Sequence, residues 1–220
     1  MRSNHVAAVP FAWLAAGAVL AGQGAQVWTF EADRVGAPPA TFTLAAMRQG
    51  SPGAWAVRAE TGRSWLAHAA DPASRGFSIA VAPGPALRDV VVSARLRLAG
   101  GARAGGVVWR YVDPENYCAA ILDLARRDVS MYRVSRGNRV RLDDHEDLEL
   151  DPDAWHSLKA VQREDLASVI LNGIRVFEER TSRGERAAWP GRVGLIAGGD
   201  AEVWFDDLRA EPPRDRRGAR

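Results

Sequence analysis

The run from Gly105 to Val134, GGVVWRYVDPENYCAAILDLARRDVSMYRV, constrains this chain more than any other stretch. It predicts three consecutive antiparallel strands, Gly106–Tyr111, Tyr117–Leu124 and Val129–Val134, joined by short connections rich in Asp, Pro, Asn and Arg. Asp113-Pro114 opens the first connection, because proline presets the φ that the second position of a type I turn needs. Three strands joined this tightly form a meander, and a meander belongs to an antiparallel sheet.

Pairing Tyr111 with Tyr117 and Leu124 with Val129 assigns the two faces, since side chains alternate along a strand. One face then carries Trp109, Tyr111, Tyr117, Asp123, Ser130 and Tyr132. The other carries Val108, Cys118, Ala120, Leu122, Val129 and Met131, with Arg110 and Arg133 towards the rims. The aliphatic set reads as core and the aromatic set as a surface that could meet a ligand. A one-residue slip exchanges the faces, and Arg110 is the ligand-facing residue of the slipped alternative.

The rest of the chain continues the same strand rhythm. Asp89–Leu98 alternates from Val92 onward, with Ser93, Arg95 and Arg97 on a wet face. Asn172-Gly173 predicts a two-residue hairpin, because both central residues of a type I′ turn need positive φ. Arg139–Leu142 is a short expected strand, Asp143–Asp153 an acidic loop, and Arg192–Ala197 with Glu202–Arg209 an expected closing pair. No amphipathic helix follows the first 25 residues. Many short strands at roughly ten-residue spacing predict an all-β fold, a two-sheet antiparallel jelly-roll sandwich over residues 26–211.

Residues 1–25 read as a secretory signal peptide: Arg2 and His5 precede the apolar run VAAVPFAWLAAGAVLA, which ends in small residues. That run is short of the roughly 20 apolar residues of a membrane span and contains Pro10. The expected location is therefore periplasmic or secreted, with no stable span after cleavage. The +2 formal charge is accounted for by the last ten residues, where Arg214, Arg216, Arg217 and Arg220 outweigh Glu211 and Asp215. Residues 212–220 read as a disordered basic tail. The remaining chain is neutral, which argues against nucleic acid as a partner. Cys118 is the one cysteine, so no intrachain disulfide forms.

Several stretches carry a resemblance: TFEADRVGAPPATF (29–42), GGVVWRYVDPENY (105–117), WHSLKAV (155–161), VILNGIRVFE (169–178) and GRVGLIAGGDAEVWFDDLRA (191–210). In this order they resemble the laminin-G-like jelly roll of the concanavalin A-like lectin/glucanase superfamily. The pattern is most similar to bacterial 3-keto-disaccharide hydrolase domains, the glycoside hydrolase family 16-like branch. The resemblance implies a sandwich that handles carbohydrate. Cys118 stands where relatives often place an aromatic, and Leu195–Asp200 lacks the Trp, Lys and Ser often found there.

Retaining glycoside hydrolysis needs two carboxylates about 5–5.5 Å apart. The nearest match to the family 16 strand pattern, Glu149-Leu150-Asp151-Pro152-Asp153, lacks the closing Glu and contains a strand-breaking proline. The expected function is therefore an exported, non-catalytic carbohydrate- or surface-binding domain, its ligand touching Trp109, Arg110, Tyr117, Asp123 and Tyr132. The alternatives are a glycosidic-bond-cleaving hydrolase or lyase, and a structural sandwich without a small ligand. No cofactor is expected. Glu31 and Asp33 with Asp206 and Asp207 could hold a structural calcium, although charges on terminal strands also serve to block edge-to-edge pairing.

Overall fold

A computed structural model describes residues 24–47, 52–71, 76–99, 104–181, 189–198 and 200–214. The expected leader through Gln23, the Gly100-Gly101 turn, most of the loop 183–190 and the tail from Asp215 lie outside these residues.

The described chain is built of strands. In order they are β1 Gln26–Trp28, β2 Thr43–Ala46, β3 Ala54–Glu60, β4 Arg63–Ala69 and β5 Phe77–Val81. Then come β6 Val90–Ala99, β7 Ala104–Asp113, β8 Asn116–Asp123, β9 Asp128–Ser135 and β10 Asn138–His145. The last are β11 His156–Arg163, β12 Leu166–Leu171, β13 Ile174–Arg180, β14 Arg192–Gly198 and β15 Glu202–Glu211. They form two antiparallel sheets, as the jelly-roll expectation requires. Sheet A runs β13-β12-β11-β6-β15-β4-β3, with β1 also on β15, and sheet B runs β10-β9-β8-β7-β14-β5-β2.

Alternation explains the core. In β6 every second residue from Val90 to Leu98 is buried, and β11 repeats the pattern with Leu158, Ala160 and Gln162. Leu66, Leu96, Leu98, Val203 and Phe205 of sheet A meet Val107, Trp109, Leu122, Met131 and Leu195 of sheet B. Each large apolar side chain removed from water there contributes about 1.5–3 kcal/mol. Asn172 (φ 49) and Gly173 (φ 83) adopt the positive angles the hairpin needs.

Three expectations are corrected. First, β14 and β15 do not pair with each other: each is an interior strand of a different sheet. Second, β10 extends through Asp143, Asp144 and His145, so the acidic loop begins later than expected. A bulge between Arg141 and Asp143 lets the strand continue against β9. Third, both registers of the meander are shifted: Val129 pairs with Leu122 rather than Leu124, a two-residue change that keeps the faces, whereas the first hairpin's shift moves Trp109 to the other face. Trp109 pairs with Cys118, not Ala119, because β7 bulges between Trp109 and Asp113, with Arg110 at φ 52. The extra residues turn Trp109 inward while Tyr111 stays on the outer face with Tyr117.

Sheet B is also strongly curled. Strands β10 and β5 are five spacings apart in the sheet order, which in a flat sheet is roughly 24 Å. Yet the Arg139 guanidinium of β10 lies 4.9 Å from the Phe77 ring of β5 and 4.0 Å from Tyr132. The Tyr117 hydroxyl likewise donates to Met47 Sδ, just past β2, at 2.9 Å. Glycines at the crowded middle permit this. A Cβ on Gly106 would overlap the Ala120 carbonyl of β8, and one on Gly194 would overlap the Ala80 carbonyl of β5.

Candidate functional site

The outer face of sheet B carries Tyr117, Asp123 and Tyr132 of the residues that the sequence singles out, and it is an enclosed second core. Ile79, Val81, Val108, Tyr111, Tyr117, Ala119, Ile121, Tyr132, Val134 and Ile196 form one buried cluster there. Tyr117 is 1% exposed and Tyr132 7%. Burial raises the pKa of the Tyr117 phenol, which keeps it neutral. Arg139 lies over the Tyr132 ring and Arg192 over Tyr111, at 5.9 Å. Cation–π contact and curl therefore close the aromatic face at its rims.

At one end of that face, Asp123 stands directly opposite Asp128 across the β8–β9 hairpin. Asp123 caps its turn by accepting from the Arg126 amide at 3.1 Å. Asp128 is buried, accepts from Ser130 Oγ at 3.3 Å and lies 3.4 Å from Arg126. Desolvation raises its pKa; Arg126 opposes that shift and the Asp123 charge adds to it.

Trp109 and Arg110 belong to the interior. Trp109 Nε1 donates to Gln162 Oε1 at 2.7 Å. Gln162 Nε2 in turn reaches the carbonyls of Glu164 and Leu166 and the Thr181 hydroxyl, at 3.0–3.2 Å. Arg110, 1% exposed, donates to the Arg88 carbonyl at 3.0 Å, Thr181 Oγ1 at 3.2 Å and the Glu164 carbonyl. This network ties sheet B to the ends of β11 and β13. Its side chains satisfy one another, so neither residue is presented to a ligand.

The opposite surface, the outer face of sheet A, holds what the sequence reading missed. A pocket of about 250 Å³ is lined by Trp65, Trp155, Trp204, Arg63, Arg95, Arg97 and Asp206, with Glu60, Thr61 and Ser64 at its edge. β4 supplies Trp65 and β15 supplies Trp204; the rings stack at 5.1 Å with 28° between planes. Arg97 of β6 lies over Trp204 at 4.7 Å, and Arg95 lies over Trp155 at 5.2 Å. All three tryptophans are half-buried, with wide apolar rings at the surface.

A second bulge shapes this pocket. Between Asp206 and Arg209 β15 slips against β6, with Asp207 at φ 51. At the same point its other neighbour changes from β4 to β1. The slip turns Asp206 and Asp207 to the same side of the sheet. Asp206 lies 3.6 Å from Arg63 and accepts the Asp207 amide at 2.7 Å. Burial raises its pKa, and the Asp207 charge pushes the same way. Trp65 Nε1 and Arg97 Nε are buried donors without a hydrogen-bond partner among the described residues.

One signal could have found this pocket. Once Phe205 and Leu66 are taken as core, alternation turns Trp204, Asp206 and Trp65 outward beside the wet face of β6. What the sequence does not display is the strand order β6-β15-β4 that brings them together. Of the residues considered for calcium, the Glu31 carboxylate accepts the Ser64 amide at 3.1 and 3.2 Å, Asp206 faces Arg63 and Asp207 faces Arg95. Among the described residues no group of three or more His, Cys, Asp and Glu side chains converges as a metal site.

No family model and no curated protein matches the chain. Solved structures do. The carbohydrate binding module CBM66 from Bacillus subtilis superposes with a TM-score of 0.61 at 18% identity, covering 78% of this chain and 97% of that one. A Bacillus licheniformis beta-glucanase gives 0.59 at 9% identity, covering 87% and 99%. A Bacillus subtilis protein of unknown function with a galectin-like fold gives 0.58 at 12% identity, covering 78% and 89%. At such identities the likeness shows the fold alone, and it agrees with the strand order above: a two-sheet antiparallel jelly-roll sandwich.

Proposed function

We propose that the protein is an exported, non-catalytic carbohydrate-binding domain, with its ligand at the Trp65–Trp155–Trp204 pocket. The observation that carries this reading is the combination of half-buried indole rings with arginine and carboxylate groups in one solvent-facing recess. A sugar ring offers C–H faces that stack on indoles and hydroxyls that need planar donors and acceptors. Apolar walls with a few oriented polar groups are the general recipe for a small-ligand site. Export is supported by the leader-like composition of residues 1–25. Carbohydrate as the ligand class is supported by the binding module and glucanase among the structural neighbours.

The test is a glycan-array screen followed by titration of the hits. Trp204→Ala and Trp65→Ala should each weaken binding by about 1–3 kcal/mol, by analogy with loss of one base-stacking aromatic, with the fold retained. If no glycan binds, the domain is a structural sandwich and its tryptophans only stiffen the sheet.

A second reading has one observation in its favour. The Asp123–Asp128 pair, with Asp128 raised in pKa, is the kind of carboxylate couple that a hydrolase uses as acid and base. Hydrolysis of a 3-keto-glycoside that disappears in Asp128→Asn would establish it over the binding role.

A further inference from the structure

Beyond the pocket, the same face of sheet A holds a second recess of about 360 Å³, lined by Ser93, Arg95, Lys159, Asp207 and Arg209 among others. Arg95 lines both recesses, so they form one groove that crosses β4, β15, β6 and β11. We infer that this groove binds an acidic glycan, its charge carried by uronate carboxylates or sulfate esters. The inference rests on reading the tryptophan pocket as a carbohydrate site, and it extends that site to a longer, charged ligand.

Three features point to acidic groups. First, cations outnumber anions along the groove. Arg63, Arg95 and Arg97 on one side continue into Lys159 and Arg209, against the carboxylates of Glu60, Asp206 and Asp207. Second, the ion pairs of the three arginines beside the tryptophans are loose, whereas Arg209 is held more tightly, 2.7 Å from Glu211. Arg63–Asp206, Arg95–Asp207 and Arg97–Asp153 stand at 3.6, 3.5 and 3.9 Å, and each has at least one partner well exposed to water. Such pairs contribute little and are readily exchanged for another anion. Lys159, the single lysine of the chain, has no ion pair among the described residues. Third, the unpartnered groups in the pocket, Trp65 Nε1 and Arg97 Nε, are both donors. A ligand rich in acceptor oxygens satisfies them, and guanidinium in particular pairs with carboxylate and sulfate geometry.

The geometry also separates two kinds of contact. Stacking on Trp65, Trp155 and Trp204 serves any sugar, whereas Lys159 and Arg209 lie in the second recess and serve charge. That separation supplies the test. The purified protein is titrated with polygalacturonate, dextran sulfate and neutral β-1,3-1,4-glucan, each at low and moderate salt. At least one acidic polymer should bind about tenfold more tightly than the neutral one, and its affinity should fall with salt as exposed charges are screened. Which acidic polymer binds distinguishes carboxylate from sulfate. Lys159→Gln should weaken acidic binding several-fold more than it weakens neutral binding, while Trp204→Ala should weaken both alike. Equal, salt-independent binding of the neutral polymer overturns the inference but leaves the carbohydrate reading standing. Acidic binding that survives Trp204→Ala marks diffuse adsorption and also overturns it. Absence of binding to all three polymers and to the glycan array removes both.

Discussion

Removing the indole N–H of Trp109 while keeping an aromatic ring tests the interior placement of this residue. The ring is fully buried, and Nε1 donates to Gln162 Oε1 at 2.7 Å. Trp109→Phe leaves that oxygen buried and unpaired, because the Gln162 nitrogen is already committed to Glu164, Leu166 and Thr181. An orphaned buried acceptor costs about 1–3 kcal/mol. The smaller ring adds a packing loss that keeps the total below the roughly 3–5 kcal/mol of a Trp→Ala truncation. For a chain of this size, each kcal/mol lowers the melting point by about 2–4 °C. Gln162→Leu alone should also destabilise, since it leaves Trp109 Nε1 without its acceptor. In the double variant the mutual penalty is absent, so a double-mutant cycle should report a coupling of about 0.5–3 kcal/mol. Urea unfolding followed by circular dichroism measures all four corners. A coupling indistinguishable from zero, with Trp109→Phe as stable as the parent, would refute the inward register and return Trp109 to a solvent face.

Gly106→Ala should destabilise by about 1–3 kcal/mol, because the new methyl meets the β8 backbone. Gly198→Ala, which meets only ordinary contacts, should stay near neutral in the same thermal melts. His68 is fully buried, hydrogen-bonds the Ala201 carbonyl through Nδ1 at 2.9 Å, and has its pKa lowered from 6.5 by desolvation. The unfolded chain therefore takes up this proton first on acidification. Its contribution to stability is complete above about pH 6.5 and is lost as pH falls towards the native pKa. Urea midpoints measured between pH 8 and 5 should show a drop that is shallower in His68→Asn. Cys118 has its thiol pKa pushed up to about 12 by burial. It should resist Ellman's reagent in the native protein and react only after unfolding; fast native labelling would contradict its place in the core.

The strands were legible because alternation writes burial directly into β6 and β11, and because Asn172-Gly173 declares its own turn. The faces of the meander were legible only where its strands are regular. Tyr117, Asp123, Ser130 and Tyr132 do share a face, as expected. Trp109 does not join them, since the bulge is held by a non-glycine residue, Arg110 at φ 52, with nothing in the local sequence to announce it. Arg110 is fixed there by carbonyls from segments 22 and 54 residues away in the chain. The tryptophan pocket was illegible for a related reason. Its parts come from β4, β6, β15 and the residue before β11, which only sheet order makes neighbours. The closure of the aromatic face was hidden too, because alternation states which side of a sheet a residue occupies and is silent on how far the sheet curls.

The placement of the last two strands has a consequence for how the molecule comes into being. β14 sits between β7 and β5, and β15 between β6 and β4, so each sheet is completed from its middle by the C-terminal segment. During synthesis, β4 and β5 on one side and β6 and β7 on the other must wait with open edges until residues 192–211 have emerged. Native pairing of the two halves is impossible before then, so the nascent chain carries unpaired edges that invite aggregation. Ribosome-stalled chains ending before Arg192 should accordingly be fully sensitive to protease, and the resistance should appear in one step once β15 is free to insert.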